Sequence, residues 1–313
     1  MNNLKNITVI GTGVIGTGWI LRFLAFNKRV TAYDPSEKQK NYLKKELRRT
    51  KSNIEKLYKK KINLKNLVIT SKLEDAVKNA DLIQENVPER LKLKKKIINQ
   101  ISKFAPRNSI IASSSSGLVP SDLQSNCINP KRFVVAHPFN PVYMLPGVEI
   151  VPGKKTSFKT LKKAKRFYES ISMNPIMLKK ELPGFLSDRL QEALWREALH
   201  IVNEGYASTE DLDRAIEDGP GMRWSLMGTF LTFHLAGGNA GMKHMLEQFG
   251  PALKLAWTKL KAPKLSKKLS NRVILGTSLQ AKGKSVASIA KIRDEYLLNL
   301  LKMRKKYLVK IRK

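Results

Sequence analysis

The chain has 313 residues, 42% of them hydrophobic, and a single cysteine, Cys127. Its length predicts about two domains, and its hydrophobic content is typical of a globular protein with a buried core. One cysteine excludes an internal disulfide and a cysteine-based metal site, and we expect no metal. No apolar run approaches the roughly 18 residues that span a membrane, and no apolar leader precedes the first predicted strand, so we expect a cytoplasmic protein.

The formal net charge is +34, from 59 Lys and Arg residues against 25 Asp and Glu residues. Such an excess is common in proteins that bind nucleic acids or anionic membranes. Here the lysines form short clusters over the whole chain, without the interleaved aromatic residues that a base-stacking surface requires. We therefore expect neither a specific nucleic-acid partner nor a membrane partner. A non-catalytic basic binding or structural protein stays the alternative class.

A glycine-rich turn follows the first predicted strand, Ile7–Ile10, and precedes a helical segment. In a dinucleotide-binding unit, Gly11 would permit the tight turn, Gly13 the approach of the backbone to a pyrophosphate, and Gly16 close helix packing. Asp34 ends the second strand, 21 residues after Gly13, where a carboxylate binds the adenosine ribose and repels a 2′-phosphate. This favours NAD over NADP. The predicted cofactor-binding residues of this segment are Gly11, Gly13, Val14, Ile15, Gly16 and Asp34.

Strand-like and helix-like segments alternate after Asp34, which predicts βαβ units and a parallel sheet. A lysine-rich surface helix extends to about Lys61, with one apolar face formed by Leu43, Leu47, Ile54 and Leu57. The later strands are predicted at Leu67–Thr70, Asp81–Val87, Ser109–Ala112, Arg132–Ala136, Gly147–Val151 and Pro175–Leu178. The helices are predicted at Leu73–Asn79, Arg90–Phe104 and Ser157–Ile171.

The pattern changes at Pro183-Gly184, after which no strand pattern recurs. We therefore predict a Rossmann-type doubly wound α/β domain at 1–182 and an all-α domain at 183–313, with the site in the cleft between them. Gly205 is predicted to end the first helix of the second domain, and Ser208 with Asp211 to cap the next. Helices are predicted at Phe185–Glu204, after Ser208, and at Met222–Leu235, Gly241–Phe249 and Ile289–Lys310.

His137 directly follows a predicted strand, at the edge where such sheets bind ligands. A histidine is the usual general base for removing a proton from an alcohol near neutral pH. Glu149 lies 12 residues later on the next strand, close enough in a parallel sheet to orient the imidazole. The serine run Ser113–Ser116 follows another strand and offers hydroxyls to a substrate or to the nicotinamide. Taken singly, His137 could be a core histidine and the serine run a solvated loop.

The motifs together resemble the 3-hydroxyacyl-CoA dehydrogenase family over nearly the whole chain. They are Gly11–Gly18, Asn86–Leu91, the serine run, His137–Pro141 with Glu149, and Pro183–Phe185. The resemblance implies a homodimer that oxidises a 3-hydroxyl with NAD. It makes His137 the base, Glu149 its partner and Ser116 the hydroxyl that holds the substrate oxygen. It also places Ser114 and Asn140 at the nicotinamide end, and Glu89 and Lys94 on the cofactor side of the cleft.

Within this family, second-domain segments such as Gly221–Trp224 and Gln248–Leu253 resemble the branch that oxidises L-carnitine. One position supports this branch: the acyl-CoA enzymes have an asparagine after their Gly-Phe pair, whereas this chain has Asp188. The resemblance therefore implies L-carnitine as substrate, with L-gulonate or a 3-hydroxyacyl-CoA as the alternative.

Carnitine carries a trimethylammonium group, which is bound best by aromatic faces and a nearby carboxylate. Trp195 and Trp224 are the predicted aromatic contacts, Asp188 the predicted acid, and Arg223 the predicted partner of the substrate carboxylate. Three other aromatic residues stay open as contacts of the ammonium group: Phe230, Phe233 and Tyr143. Glu192 is the alternative acid, and Arg189 is the alternative partner of the substrate carboxylate. Ordinary core packing or surface ion pairing is the competing interpretation of each.

Overall fold

A computed structural model describes residues 4–225, 228–237, 239, 241–259, 266–269, 271, 282–284 and 286–312. The chain divides into two compact units, Met1–Arg189 and Leu190–Lys313. None of the helices in the described part of the chain is long and apolar enough to cross a membrane.

The first unit contains one eight-stranded sheet in the order β3-β2-β1-β4-β5-β6-β7-β8. The strands are β1 (Asn6–Ile10), β2 (Arg29–Tyr33), β3 (Leu67–Thr70), β4 (Leu82–Glu85), β5 (Ile110–Ser113), β6 (Phe133–Pro138), β7 (Gly147–Val151) and β8 (Asn174–Met177). Strands β1 to β6 are parallel, and the strand order reverses between β1 and β4. This is the Rossmann-type arrangement that the alternating pattern predicts, and the fold class is confirmed.

Strand β7 departs from the prediction of a wholly parallel sheet, because it runs antiparallel to β6. Only residues 139–146 connect the two strands. A parallel pair needs a crossover of roughly a dozen residues or more, so a connection this short permits only an antiparallel return. His137 consequently lies directly opposite Glu149 in the strand register. The predicted proximity holds, but the predicted strand direction was wrong.

Helices cover both faces of the sheet. They are α1 (Val14–Ala25), α2 (Glu37–Tyr58), α3 (Leu73–Val77), α4 (Leu91–Phe104), α5 (Pro120–Gln124) and α6 (Phe158–Ser170), with single 3₁₀ turns at Leu64–Asn66 and Pro130–Arg132. Trp19 and Phe23 of α1 contact Tyr168 and Phe167 of α6. The buried side chains of α3, α4 and α5 form a second apolar cluster with Ile83 and other strand residues. Burial on both faces explains the nearly uninterrupted apolar strands.

Local sequence signals set the ends of several helices. Ser36 caps α2 and Ser157 caps α6 through their hydroxyls. In α2, Leu43, Leu47 and Ile54 are buried, as predicted. The short helix α5 was not predicted; it begins at Pro120, whose fixed φ suits the first helical position.

The second unit is helical in the part that the structure describes. Its helices are α7 (Ser187–Glu204, which begins in the first unit), α8 (Thr209–Glu217), α9 (Pro220–Trp224), α10 (Thr229–Ala236), α11 (Gly241–Phe249) and α12 (Val286–Arg312), with a 3₁₀ turn at Gly250–Lys254. Ser208 and Asp211 form the predicted capping box, and Gly205 follows α7 with φ +79°. The helix predicted at Met222–Leu235 is instead divided between α9 and α10; its residues 226–227 lie outside the described residues.

Candidate active site

The turn between β1 and α1 is shaped for a phosphate group. Gly11 has φ +85°, and a Cβ atom there would lie 2.8 Å from the carbonyl oxygen of Asn86. At Gly13, which precedes α1, an added Cβ atom would meet nothing within 4 Å. No side chain caps α1, and its first turn, which contains Val14 and Ile15, carries no acidic residue. Its amide groups therefore face an open, uncapped helix end, which fits a dinucleotide pyrophosphate.

Asp34 lies beside this turn and helps to fix it. Its Oδ2 accepts hydrogen bonds from the Thr12 amide at 2.8 Å and the Thr12 hydroxyl at 3.1 Å, and its Oδ1 accepts from the Ser36 amide at 2.9 Å. A carboxylate can accept about four hydrogen bonds, so capacity for one more bond is left. The ribose contact predicted for Asp34 stays a prediction, and the structure adds a second task, which is to hold the glycine-rich turn.

His137 and Glu149 are in contact at the carboxyl end of β6. His137 Nδ1 lies 2.8 Å from Glu149 Oε2, and both side chains are buried. An ionised carboxylate only accepts hydrogen bonds, so Nδ1 must carry the proton. This leaves Nε2 of the neutral imidazole as the atom that can accept a proton. The pair therefore has the arrangement that a general base requires.

Three further hydrogen bonds hold Glu149 in its charged form. Oε1 accepts from the amides of Leu186 at 2.9 Å and Ser187 at 3.0 Å, and Oε2 accepts from the Ser187 hydroxyl at 2.7 Å. Burial raises the pKa of Glu149, but the hydrogen bonds from His137, Ser187 and Leu186 together hold it below its ordinary value. Sequence reasoning missed Ser187, because nothing in the sequence around Gly184-Phe185 indicates that Ser187 contacts Glu149 of β7.

Asp188 follows Ser187 and lies near the other imidazole nitrogen. Its Oδ1 is 4.0 Å from His137 Nε2. The imidazole also packs against the rings of Phe139 and Phe185, at centroid distances of 5.7 and 5.6 Å. His137 Nε2 thus lies between apolar rings and the Asp188 carboxylate. The negative charge of Asp188 favours a cationic group beside Nε2.

The serine run continues β5 at the same edge of the sheet. Ser113 pairs with Val135, so Ser116 and His137 lie three and two residues beyond this pair. Ser116 is half-buried, and its hydroxyl makes no hydrogen bond to any residue that the structure describes. It is therefore available to a substrate oxygen, and the contact predicted for Ser116 stays a prediction.

Ser114 differs from Ser116, because its hydroxyl already has partners within the chain. Its hydroxyl accepts hydrogen bonds from Trp19 Nε1 at 2.9 Å and Gln84 Nε2 at 2.8 Å, and donates one to Asn86 Oδ1 at 2.7 Å. A hydroxyl has one donor and two acceptor positions, and all three are occupied here. The contact predicted between Ser114 and the nicotinamide end stays a prediction. Ser114 connects α1 to the ends of β4 and β5. Asn140 is exposed just after β6, and its cofactor contact stays a prediction.

Lys94 is a buried residue of α4 and does not lie on an open surface. It is 1% exposed, and its Nζ pairs with Glu85 at 2.9 Å and with Glu89 at 3.3 Å. Glu89 in turn accepts a hydrogen bond from the Ser115 hydroxyl. Burial raises the pKa of Glu89, but the bond from Ser115 and the charge of Lys94 hold it below its ordinary value. Sequence reasoning singled out Lys94 and Glu89 but missed Glu85, which reads as an ordinary strand residue.

The remaining predicted substrate residues lie in the second unit. Trp195 is on α7 and 52% exposed, Trp224 is on α9 and 37% exposed, and Arg223 beside it is exposed. None of the three is a buried core side chain, so the core-packing interpretation does not apply to them. Their contacts with substrate stay predictions.

A histidine–carboxylate pair at the carboxyl edge of a doubly wound sheet that also carries a glycine-rich turn is an arrangement typical of nucleotide-dependent dehydrogenases. Comparison with protein families defines the class further. The NAD binding domain of 3-hydroxyacyl-CoA dehydrogenase matches residues 6–182, and the C-terminal domain of the same family matches residues 184–276. The chain belongs to the 3-hydroxyacyl-CoA dehydrogenase family and is an NAD-dependent dehydrogenase, as its motifs predict.

The chain is similar over almost its whole length to several L-carnitine dehydrogenases. It is 52% identical to that of Oceanobacillus iheyensis, with 97% of this chain and 99% of the relative covered. It is 49% identical to that of Bacillus cereus, covering 98% and 94%. Among solved structures, a 5-formyl-3-hydroxy-2-methylpyridine 4-carboxylic acid 5-dehydrogenase has the same fold, with a TM-score of 0.81, 24% identity and coverage of 96% and 99%.

Proposed function

We propose that this chain oxidises the 3-hydroxyl of L-carnitine to 3-dehydrocarnitine with NAD. The observation that carries the proposal is its identity of about half to L-carnitine dehydrogenases over nearly the full length of both chains. The contact between His137 and Glu149 supplies the general base that this reaction needs.

The geometry of the site supports the following roles for the protein in this reaction. His137 Nε2 accepts the hydroxyl proton as the carbon–hydrogen bond breaks, and Glu149 stabilises the imidazolium that forms. Ser116 donates a hydrogen bond to the substrate oxygen and fixes its direction toward His137. The glycine-rich turn and Asp34 hold the cofactor, whose nicotinamide supplies the hydride acceptor.

Asp188 supports carnitine over an acyl-CoA. In carnitine, one methylene group separates the hydroxyl-bearing carbon from the quaternary nitrogen. A substrate whose hydroxyl contacts His137 Nε2 can therefore place its cationic group near Asp188, whose carboxylate lies 4.0 Å from Nε2. A cation beside a carboxylate in a partly buried site is favourable, whereas an acyl-CoA gains nothing from this charge. Trp195 and Trp224 are the aromatic residues proposed to contact the trimethylammonium group, and Arg223 is the residue proposed to bind the carboxylate of the substrate.

Substrate preference tests the proposal directly. With NAD as cofactor, we expect kcat/KM to be highest for L-carnitine when L-carnitine, L-gulonate and 3-hydroxybutyryl-CoA are assayed side by side. In Asp188→Asn, KM for carnitine should rise about tenfold while KM for NAD stays constant, because only the charge facing the substrate is lost. A higher kcat/KM for gulonate or the acyl-CoA would refute the substrate and leave the family assignment intact.

Asp34 is the second test, because it should exclude NADP. In Asp34→Ala, we expect weaker NAD binding and a smaller ratio of NAD to NADP affinity, since the carboxylate no longer repels a 2′-phosphate. Thr12→Val is the matched control: it removes one hydrogen bond to Asp34 but keeps its charge. Affinities measured by titration should show the preference unchanged in Thr12→Val. An unchanged preference in Asp34→Ala would place the ribose elsewhere.

The proposal includes a homodimer in the cytoplasm. Several apolar side chains of the second unit are exposed in the single chain, among them Phe230 and Trp257, and large exposed apolar side chains are typical of subunit interfaces. The single cysteine fits a reducing compartment.

A further inference from the structure

Glu85 occupies a central position that the proposed reaction does not use. It is the last residue of β4, paired in the strand register with Ile10, the last of β1, and with Ser113, the last of β5. The glycine-rich turn follows Ile10 and the serine run follows Ser113. Glu85 is 0% exposed, so a carboxylate lies buried between the two segments that the site is built from.

Every oxygen of Glu85 is used by a neighbour. The carboxylate accepts from the Val87 amide at 2.6 Å and from the Ser113 hydroxyl at 2.5 Å. Lys94 Nζ donates to both oxygens, at 2.9 and 3.2 Å. Removing one member of such a buried ion pair is strongly unfavourable, although the pair itself adds little stability compared with apolar packing. Its position therefore invites an explanation other than stability.

The contacts of this cluster converge on the serine run. Lys94 also reaches Glu89, which accepts hydrogen bonds from the Ser115 hydroxyl and from the Gly117 amide at 3.4 Å. Ser113 is thus held by Glu85, and Ser115 and Gly117 are held by Glu89. Ser116 lies between them, and its hydroxyl is left without a partner among the described residues. The network fixes the chain on both sides of Ser116 and leaves the Ser116 hydroxyl itself available.

We propose that Glu85 is a positioning residue for the oxidation step, which acts through Lys94, Glu89 and the serine run to hold the Ser116 hydroxyl against the substrate oxygen. The inference rests on the proposed use of Ser116 in the reaction. A displacement of about 1 Å in a catalytic group can lower a rate about 10²-fold, so a rigid support for one hydroxyl has a measurable effect. Glu85 needs no contact with substrate to exert it.

A double-mutant cycle between Glu85→Gln and Ser116→Ala tests the proposal. In Glu85→Gln, we expect kcat to fall about 10- to 100-fold, with KM for NAD within about threefold of its starting value. In the Ser116→Ala background, Glu85→Gln should lower kcat by no more than about threefold, because the hydroxyl that it positions is already gone. Equal losses in both backgrounds, an unchanged kcat in Glu85→Gln, or loss of NAD affinity along with kcat would each overturn the proposal.

A second double-mutant cycle, between Ser113→Ala and Ser116→Ala, tests the proposal even if Glu85→Gln does not fold. Ser113→Ala removes the hydroxyl that Glu85 holds without leaving an unpaired charge, and should lower kcat about three- to tenfold, again only while Ser116 is present. If Ser113→Ala lowered kcat by the same factor with and without Ser116, the proposal would also be overturned. Lys78→Met, which breaks an exposed ion pair with Asp75, is the control and should leave kcat unchanged.

The cycles use whichever 3-hydroxy substrate has the highest kcat/KM. Failure of the carnitine proposal would therefore appear in the substrate comparison, whereas failure of the positioning role would appear only in the cycles.

Discussion

Replacing His137 with alanine is expected to lower kcat for carnitine oxidation by about 10²- to 10⁴-fold, the usual effect of losing a general base. NAD affinity should stay nearly unchanged, because we propose that the glycine-rich turn and Asp34 hold NAD, and no described contact joins either of them to His137. Steady-state kinetics and a separate NAD titration measure the two effects on one preparation.

His244→Ala, at an exposed position of α11, is the control for loss of an imidazole and should keep kcat within about twofold. The base assignment would have to be abandoned if His137→Ala turned over carnitine within about threefold of the unaltered chain. It would also fail if NAD binding disappeared together with turnover, since His137 would then be a structural residue.

Replacing Glu149 with glutamine should reduce kcat almost as much, by about 10²- to 10⁴-fold, although the two side chains have the same size. All four hydrogen bonds at Glu149 are donated to the carboxylate, by His137, Ser187 and Leu186. The glutamine amide must direct its NH₂ group either at His137 and the Ser187 hydroxyl or at the backbone amides of Leu186 and Ser187. Where it faces His137, it selects the tautomer whose proton is on Nε2, and that tautomer cannot act as the base.

Ser187→Ala is the matched control for this effect. It removes one hydrogen bond from Glu149 but keeps the carboxylate and therefore the tautomer, so kcat should fall less than about tenfold. Comparable losses in Ser187→Ala and Glu149→Gln would mean that the position of the side chain, and not its charge, is what His137 requires.

The lowered pKa of Glu149 gives the same variant a pH-dependent effect on stability. A carboxyl whose pKa is lower in the folded state stabilises the fold above its unfolded-state pKa, about 4.3, and this stabilisation is lost as pH falls through the folded value. Glu149→Gln lacks that contribution. Its Tm should therefore decrease less than that of the unaltered chain between about pH 6 and pH 3.5. Parallel Tm profiles would mean that Glu149 has no preference for its charged form.

Sequence reasoning succeeded where the signal is local. The glycine spacing requires a backbone that only glycine adopts readily, and Gly11 has the positive φ that this turn needs. Helix caps are local as well, because Ser208 and Asp211 lie three residues apart and satisfy each other's backbone groups. Apolar periodicity gave the buried face of α2. The fold class and the family followed from such features.

Sequence reasoning missed contacts whose partners are distant in the chain. The family resemblance placed Ser114 at the nicotinamide end, and no local pattern indicates that Trp19, 95 residues away, donates a hydrogen bond to its hydroxyl. The Ser187 hydroxyl donates a hydrogen bond to Glu149, 38 residues away in the chain, and no local pattern indicates this contact. The direction of β7 is an exception, since the short connection after β6 already required an antiparallel return.

The sequence by itself determined the candidates for the chemistry: the glycine-rich turn, His137, Glu149 and Ser116 each belong to a short motif whose residue types suit the proposed reaction. Only the tertiary structure decided how they are supported. The ion-pair cluster of buried Glu85 and Lys94 with the exposed Glu89 forms because β4 and β5 lie side by side and α4 returns over their ends. The energy of a buried charge depends on the groups that surround it in space, and those groups are unknown until the chain has folded.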